Sequence, residues 1–279
     1  MTELSLGYSP CPNDTFIFYA LVHGKIDTGD LCFREILEDV ETLNRKAGRA
    51  ELDITKISFH AYGHLRETYR LLRSGGALGK GCGPLVVSKK YEQMKDLRGK
   101  KIAIPGSLTT AFLLLQLFDP SLKERVIIMP FHRIIDAVSS DEADAGLIIH
   151  ESRFTYQSAG LRKVLDLGEW WETETGLPIP LGGIIAKREL GEGLIRTVET
   201  DIRKSLEYAF ANSAEPKAYI KKHSQELEDS VIEQHIGLYV NDYSLDIGAD
   251  GVRAVEGLFR MSEEKGIIKR SSMPLWAAS

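Results

Sequence analysis

The chain has 279 residues, a length that suits one large domain or two of ordinary size. Hydrophobic residues at 43% and charged residues at 27% exclude a disordered or fibrous chain. With 35 Lys and Arg against 40 Asp and Glu the net charge is −5, lacking the basic excess needed to track a phosphate backbone, so no nucleic acid is expected as a partner.

Residues 4–8 form the first short apolar run, read as a strand. Ser9-Pro10-Cys11-Pro12-Asn13-Asp14-Thr15 follows it and leads into a helical pattern over 15–23, closed by Gly24. The two prolines stiffen this turn, and Asn13, Asp14 and Thr15 have two readings: caps for exposed N–H groups, or a polar rim aimed at a cleft. No neighbouring base or cation in the sequence marks Cys11 as an activated thiol. Runs at 31–37 and 54–57 supply the next strands. Lys56 and Ser58, two apart, project to one strand face, either to a cleft mouth or as a solvated lysine and a helix cap.

A helix is expected over 61–73, ended by Gly75 and Gly76. His60 and His64 have the spacing of zinc-binding helices, but Ala61 stands where such a motif carries its glutamate and no third ligand is evident, so no metal is expected. The run from Ser74 to Gly81 is no phosphate loop, because Ser74 and Gly81 occupy the positions that need glycine and a hydroxyl.

Further strands are read at 85–87, 102–104, 126–129, 145–149 and 183–186. After the strand at 102–104, Pro105-Gly106-Ser107-Leu108-Thr109-Thr110 opens an apolar helix whose free N–H groups and dipole favour an anion; Thr109 and Thr110 either add hydroxyl donors or cap. His150 ends a buried strand at its carboxyl end, where α/β sheets present ligands, and is either a base near pH 7 or a structural hydrogen bonder. Glu151 either orients it or starts a helix, and Trp170-Trp171 reads as packing. Beyond Lys187 the patterns at 190–212, 216–223, 227–240 and 249–265 are all helical.

Strand-helix alternation predicts an α/β fold with largely parallel sheets. Two glycine- and proline-rich stretches, 79–87 and 178–185, each lead into an apolar strand and read as a double hinge. The expected organisation is a discontinuous larger domain, 1–87 with 186–279, and a smaller inserted domain, 88–185, with the ligand cleft between them. The N-terminus lacks a basic region followed by an apolar stretch, and no apolar run reaches the roughly 20 residues that span a bilayer; a cytoplasmic protein without a membrane partner is expected. Cys11, Cys32 and Cys82, odd in number and widely spaced, read as reduced thiols.

Ser9-Pro-Cys-Pro-Asn-Asp-Thr-Phe, Leu37-Glu-Asp-Val-Glu-Thr-Leu-Asn, Thr55-Lys-Ile-Ser, Arg73-Ser-Gly-Gly-Ala-Leu-Gly, Gly83-Pro-Leu-Val-Val, Gly146-Leu-Ile-Ile-His-Glu-Ser-Arg-Phe-Thr-Tyr, Leu181-Gly-Gly-Ile and Val240-Asn-Asp-Tyr-Ser-Leu-Asp together resemble the 1,4-dihydroxy-6-naphthoate synthase family of the futalosine route to menaquinone. The resemblance covers nearly the whole chain. It implies a two-domain clamp of the type II periplasmic-binding-protein kind, and a lyase that converts cyclic dehypoxanthinylfutalosine to 1,4-dihydroxy-6-naphthoate and a sugar-derived fragment, with no cofactor. By the same resemblance the proton-accepting histidine maps onto His150, and substrate-binding segments map onto Lys56, Ile57 and Ser58 and onto Thr109 and Thr110. Chorismate dehydratase, the sister class, shares the clamp and the pathway, and the Gly146-Leu-Ile-Ile-His-Glu segment favours the synthase. A non-catalytic small-molecule-binding protein is the alternative of a different class.

Overall fold

The computed structural model describes residues 2–224 and 228–276. The chain begins β1 (Thr2–Tyr8), α1 (Pro12–Val22), β2 (Leu31–Leu37), α2 (Val40–Gly48), β3 (Ile54–Ser58), α3 (Phe59–Gly63), β4 (Tyr69–Leu71) and β5 (Ala77–Gly79). It crosses into β6 (Leu85–Ser88), β7 (Ile102–Ile104), α4 (Thr110–Phe118), β8 (Val126–Ile128), α5 (Ile134–Ser139), β9 (Ala145–Ile148), α6 (Ser152–Thr155), β10 (Arg162–Asp166) and α7 (Leu167–Thr175). It returns in β11 (Ile179–Lys187) and finishes with α8 (Glu192–Ala211), α9 (Lys217–His223), α10 (Asp229–Tyr239), α11 (Asp242–Leu245) and α12 (Gly248–Glu264). The helical last third follows the sequence pattern, although Leu227, the expected first residue of the helix over 227–240, lies outside the described residues.

Two sheets result. One has the order β2-β1-β3-β11-β4 with β5 also paired to β11, and the other the order β10-β6-β9-β7-β8. The parallel expectation holds only for β1 with β2 and β3, and for β7 with β8 and β9. β11 runs antiparallel to β3, β4 and β5, and β6 antiparallel to β9 and β10. The antiparallel strands β6 and β11 are those at which the chain enters one sheet and regains the other, so strand-helix alternation does not govern them.

This places the crossings at other residues than the 87/88 and 185/186 boundaries. β6 lies whole in the five-stranded sheet and β11 whole in the six-stranded sheet, so the chain changes sheets at 80–84 and again between α7 and β11. The helix expected over 61–73 stops at Gly63, and Tyr69–Leu71 is β4. Its one sheet partner is β11, with Leu71 opposite Ile185, a pairing across more than a hundred residues that local periodicity does not encode.

Local chemistry explains the elements that carry the cavity between the sheets. α1 takes Pro12 in its first turn, is buried from Pro12 to Leu21, and packs on α8. α8 answers with a stripe of Ile195, Val198, Ile202, Leu206 and Ala209, the three- and four-residue spacing of one helix face. Asp39 caps α2 by accepting from the Glu41 and Thr42 N–H groups, and Thr109 caps α4 by accepting from Phe112 N–H. Gly75 is required twice over, since its φ is +80° and a Cβ there would lie 2.0 Å from Ile184 Cδ1. Trp171 is fully buried with its indole N–H on the Pro178 carbonyl, and Trp170 meets Phe118 edge-on. Among the described residues no helix is long and apolar enough to cross a membrane.

Candidate functional site

A cavity of about 90 Å³ opens between the two sheets. Asn13, Asp14, Lys56, Ile57, Ser58, Thr109, Thr110 and His150 all border it. α1 and β3 bring the first five from the six-stranded side, α4 brings the two threonines, and the turn after β9 brings His150.

On the α1 side the capping reading gives way to a charged network. Cys11 is the N-cap of α1 and makes no side-chain cap bond. Asp14 Oδ2 instead accepts from the Ser9 N–H at 3.2 Å and hydroxyl at 2.8 Å. Asp14 Oδ1 accepts from Asn13 Nδ2 at 2.8 Å and from the Lys56 ammonium at 2.9 Å. Lys56 also donates to the Gly75 carbonyl at 2.9 Å. Lys56 is therefore a buried ammonium in an ion pair, not a solvated one. Ser58 does not cap α3; its N–H donates to Asn44 Oδ1 at 3.0 Å and its hydroxyl accepts from Asn44 Nδ2 at 3.2 Å.

At the start of α4 the two threonines divide their work. Thr109 is the cap, and Thr110 donates its hydroxyl across to the Leu181 carbonyl of β11 at 2.5 Å. The N–H groups expected to be free before this helix are partly taken. Glu41 of α2, buried, accepts from Ser107 N–H and Oγ at 3.1 Å each and from Leu108 N–H at 3.2 Å. Thr110 and Ala111, in the first turn of α4 where helix N–H groups have no intrahelical partner, both border the cavity. Glu41 and Thr110 thus tie the two sheets together on either side of the cavity. Replacing Glu41 with alanine removes charge-assisted bonds worth about 1.5–3 kcal/mol, so ligand affinity should fall about tenfold or more; calorimetric titration reads the loss, and an unchanged affinity would contradict the tie.

His150 has φ +55°, a left-handed conformation that histidine adopts more readily than most residues and that still costs free energy. It is half-buried and borders the cavity. Burial pushes its pKa down to about 4, with Asp14 pulling it up and Lys56 pushing it further down, so the imidazole is neutral at physiological pH. Behind it, Cys11 Sγ, a His150 ring nitrogen and a Glu151 carboxylate oxygen lie within 4.8 Å of one another. Burial, reinforced by Glu151, raises the Cys11 thiol well above its ordinary value, so it is not a thiolate nucleophile. Cys82, also buried, is pushed up to about 12, whereas Cys32 is exposed. Alkylation of the folded protein near neutral pH should label Cys32 alone, which intact-mass measurement checks; adducts on Cys11 or Cys82 would contradict the burial.

His60 is buried, its ring Nδ1–H directed to the Thr109 carbonyl at 3.3 Å and its pKa lowered by burial to about 4. It braces α3 against α4. Sequence reading missed Glu41, Asn44, Tyr239 and His235, all at or beside the cavity. Glu41 is an ordinary first-turn acid of α2 by sequence, and His235 lies in an apolar stripe; only the fold brings either to the site.

The family model described as menaquinone biosynthesis matches residues 4–264. The chain belongs to the menaquinone biosynthesis family. A curated member from Thermus thermophilus, named 1,4-dihydroxy-6-naphtoate synthase, is 50% identical over 99% of this chain and 100% of its own. A solved structure from Archaeoglobus fulgidus superposes with a TM-score of 0.89 at 41% identity, covering 95% of this chain and 98% of the other. The alkanesulfonate-binding protein SsuA of Xanthomonas axonopodis pv. citri shares the architecture at a TM-score of 0.71 and 12% identity, over 97% of this chain and 95% of its own. This member of the menaquinone biosynthesis family thus has a mixed α/β, periplasmic-binding-protein-like fold.

Proposed function

We propose that this chain is a 1,4-dihydroxy-6-naphthoate synthase, a lyase that converts cyclic dehypoxanthinylfutalosine to 1,4-dihydroxy-6-naphthoate and a sugar-derived fragment without a cofactor. The observation that carries the reading is a neutral, desolvated His150 bordering the same cavity as Lys56, Ser58, Thr109 and Thr110, in a chain half identical to a relative of that name. The two sheets act as two lobes of a clamp: one built from β1 to β5, β11 and the last five helices, the other from β6 to β10 with their helices, hinged at 80–84 and at 176–178.

In this reading the lobes close over the aromatic carboxylate. The Thr110 and Ala111 N–H groups, at the positive end of α4, hold the substrate's anionic group. His150 accepts a proton from the substrate to start fragmentation, and Asp14, whose charge favours protonated His150, stabilises the imidazolium that forms. Asn13, Lys56, Ile57 and Ser58 shape and orient the remaining wall. Closure excludes water from the base.

The direct test mixes the purified protein with cyclic dehypoxanthinylfutalosine and follows 1,4-dihydroxy-6-naphthoate by chromatography with mass detection. Product formation supports the lyase. The likeness to SsuA favours a second reading, a non-catalytic binding protein, and ligand retained unchanged would move the assignment there.

A further inference from the structure

Behind His150 lies a second imidazole that no part of the reaction above uses. His235, on α10, is fully buried, and its ring is nearly parallel to that of His150, at 16° with centroids 6.0 Å apart. Its Nε2 is 2.9 Å from Asn13 Oδ1, and its Nδ1 is buried with no hydrogen-bond partner among the described residues.

The proton on His235 is fixed by its neighbours. Asn13 gives its Nδ2 to Asp14 Oδ1, which turns its carbonyl oxygen toward His235. A carbonyl oxygen only accepts, so His235 donates from Nε2–H. Burial and the nearness of His150 keep the ring from taking a second proton, and Nδ1 is therefore a bare lone pair. The hydrogen-bond chain runs from His235 through Asn13 to Asp14 and Lys56, so one network ties this ring to the charged wall of the cavity.

We infer that His235 is a positioning residue for His150: held by Asn13, its ring forms a dry wall that fixes the plane of the base and sets its basicity. The inference rests on the reading of His150 as the base. Phe131 lies against His150 as well, with a centroid distance of 4.9 Å, so two rings neighbour an imidazole that also borders the cavity. A left-handed backbone at His150 persists only where its surroundings over-determine it, and this pair of rings supplies that constraint. Tyr239, one turn beyond His235 and 4.7 Å from its ring, carries the wall on to the cavity surface.

The groups that face His150 are Asp14 and Cys11 from α1 and its start, Lys56 from β3, Asp39 ahead of α2, and Glu151 beside it. Of these, Asp14 and Lys56 are joined to His235 only through Asn13, and Gln at 235 keeps a donor for Asn13, so a shift in the basicity of His150 common to the Ala and Gln variants reports on the ring.

The experiment compares His235→Ala and His235→Gln with the parent in two measurements: the pH dependence of kcat/KM for cyclic dehypoxanthinylfutalosine, and direct NMR titration of His150. Both variants remove the ring and admit water, and Gln keeps a donor for Asn13 and most of the volume should Ala fail to fold. The expected result is a fall in kcat of about tenfold with KM within a factor of two or three. The acidic limb of kcat/KM and the NMR titration of His150 should both move upward by about one pH unit or more, toward the ordinary histidine value near 6.5. An unmoved titration, or a loss confined to KM, would overturn the positioning role. His150→Ala run alongside separates the two readings: if it keeps turnover, the base assignment fails, and the NMR titration still decides whether His235 sets the basicity of His150.

Discussion

Replacing His150 with alanine is expected to cut turnover of cyclic dehypoxanthinylfutalosine by about 100-fold or more, the usual loss when a general base is removed. His150 is half-buried at the cavity wall instead of in a core, so the loss is not one of core packing; its left-handed backbone, however, is a cost that alanine bears less well than histidine. His150→Asn is the better control, because asparagine tolerates φ near +55° and supplies no base. Both variants should be equally inactive, with Asn the more stable of the two. Turnover within a few-fold of the parent in the Asn variant would remove His150 from the chemistry. The pH dependence has a definite sign. The imidazole must be neutral to accept a proton, and burial holds its pKa down at about 4. The free-enzyme rate constant kcat/KM should therefore stay level on the acid side of neutrality, and fall only as the pH drops toward about 4 and His150 becomes protonated. A limb at the ordinary histidine value near 6.5 would mean that the ring is solvated in the working enzyme.

How much of this was legible beforehand depends on whether the signal was local. The strands at 31–37 and 102–104 and the helices α8, α9, α10 and α12 announce themselves by periodicity and by glycine and proline punctuation, and each recurs in the structure close to its expected limits, whereas the four-residue α11 was not expected. β4, β5 and β10 were missed for one reason. β4 and β5 have three residues each and β10 five, and all three exist through pairing with strands distant in the chain. The site shows the same division. His150, Thr109 and Asn13 stand at strand ends and helix starts, positions that sequence pattern identifies, and they converge on one cavity. Glu41 and His235 act through contacts 66 and 222 residues away along the chain; Glu41 lies in the 37–44 segment that carries the family resemblance, but its local pattern is only that of a first-turn helix acid, and no local pattern assigns either residue its partner. The capping reading of Asn13 and Asp14 failed because local chemistry offered helix N–H groups as partners, while the fold supplied Lys56, whose buried ammonium is a stronger claim on the carboxylate.

That buried pair carries the second large effect. Lys56→Met should destabilise the protein by about 3 kcal/mol or more, since removing one partner of a buried pair leaves the other charge uncompensated. Asp14 would keep its bonds from Ser9 and Asn13 yet lose its cation, with only a few percent of its side chain in contact with solvent. In a chain of this size each kcal/mol is worth about 2–4 °C, so Tm should drop by about 6–12 °C. Because the pair is enclosed, the drop should be nearly the same at low and high ionic strength, unlike that of a surface pair. The double replacement Lys56→Met with Asp14→Leu removes the orphaned charge and should recover part of the stability, the remainder being lost at the unpaired Ser9 and Asn13 donors. Activity should not return with it, because Lys56 and Asp14 both border the cavity and Asp14 favours the protonated form of His150. A single variant that melts within a degree or two of the parent would show that the pair is solvated in the folded protein. Recovery of turnover in the double variant would show instead that the pair serves the fold and not the reaction.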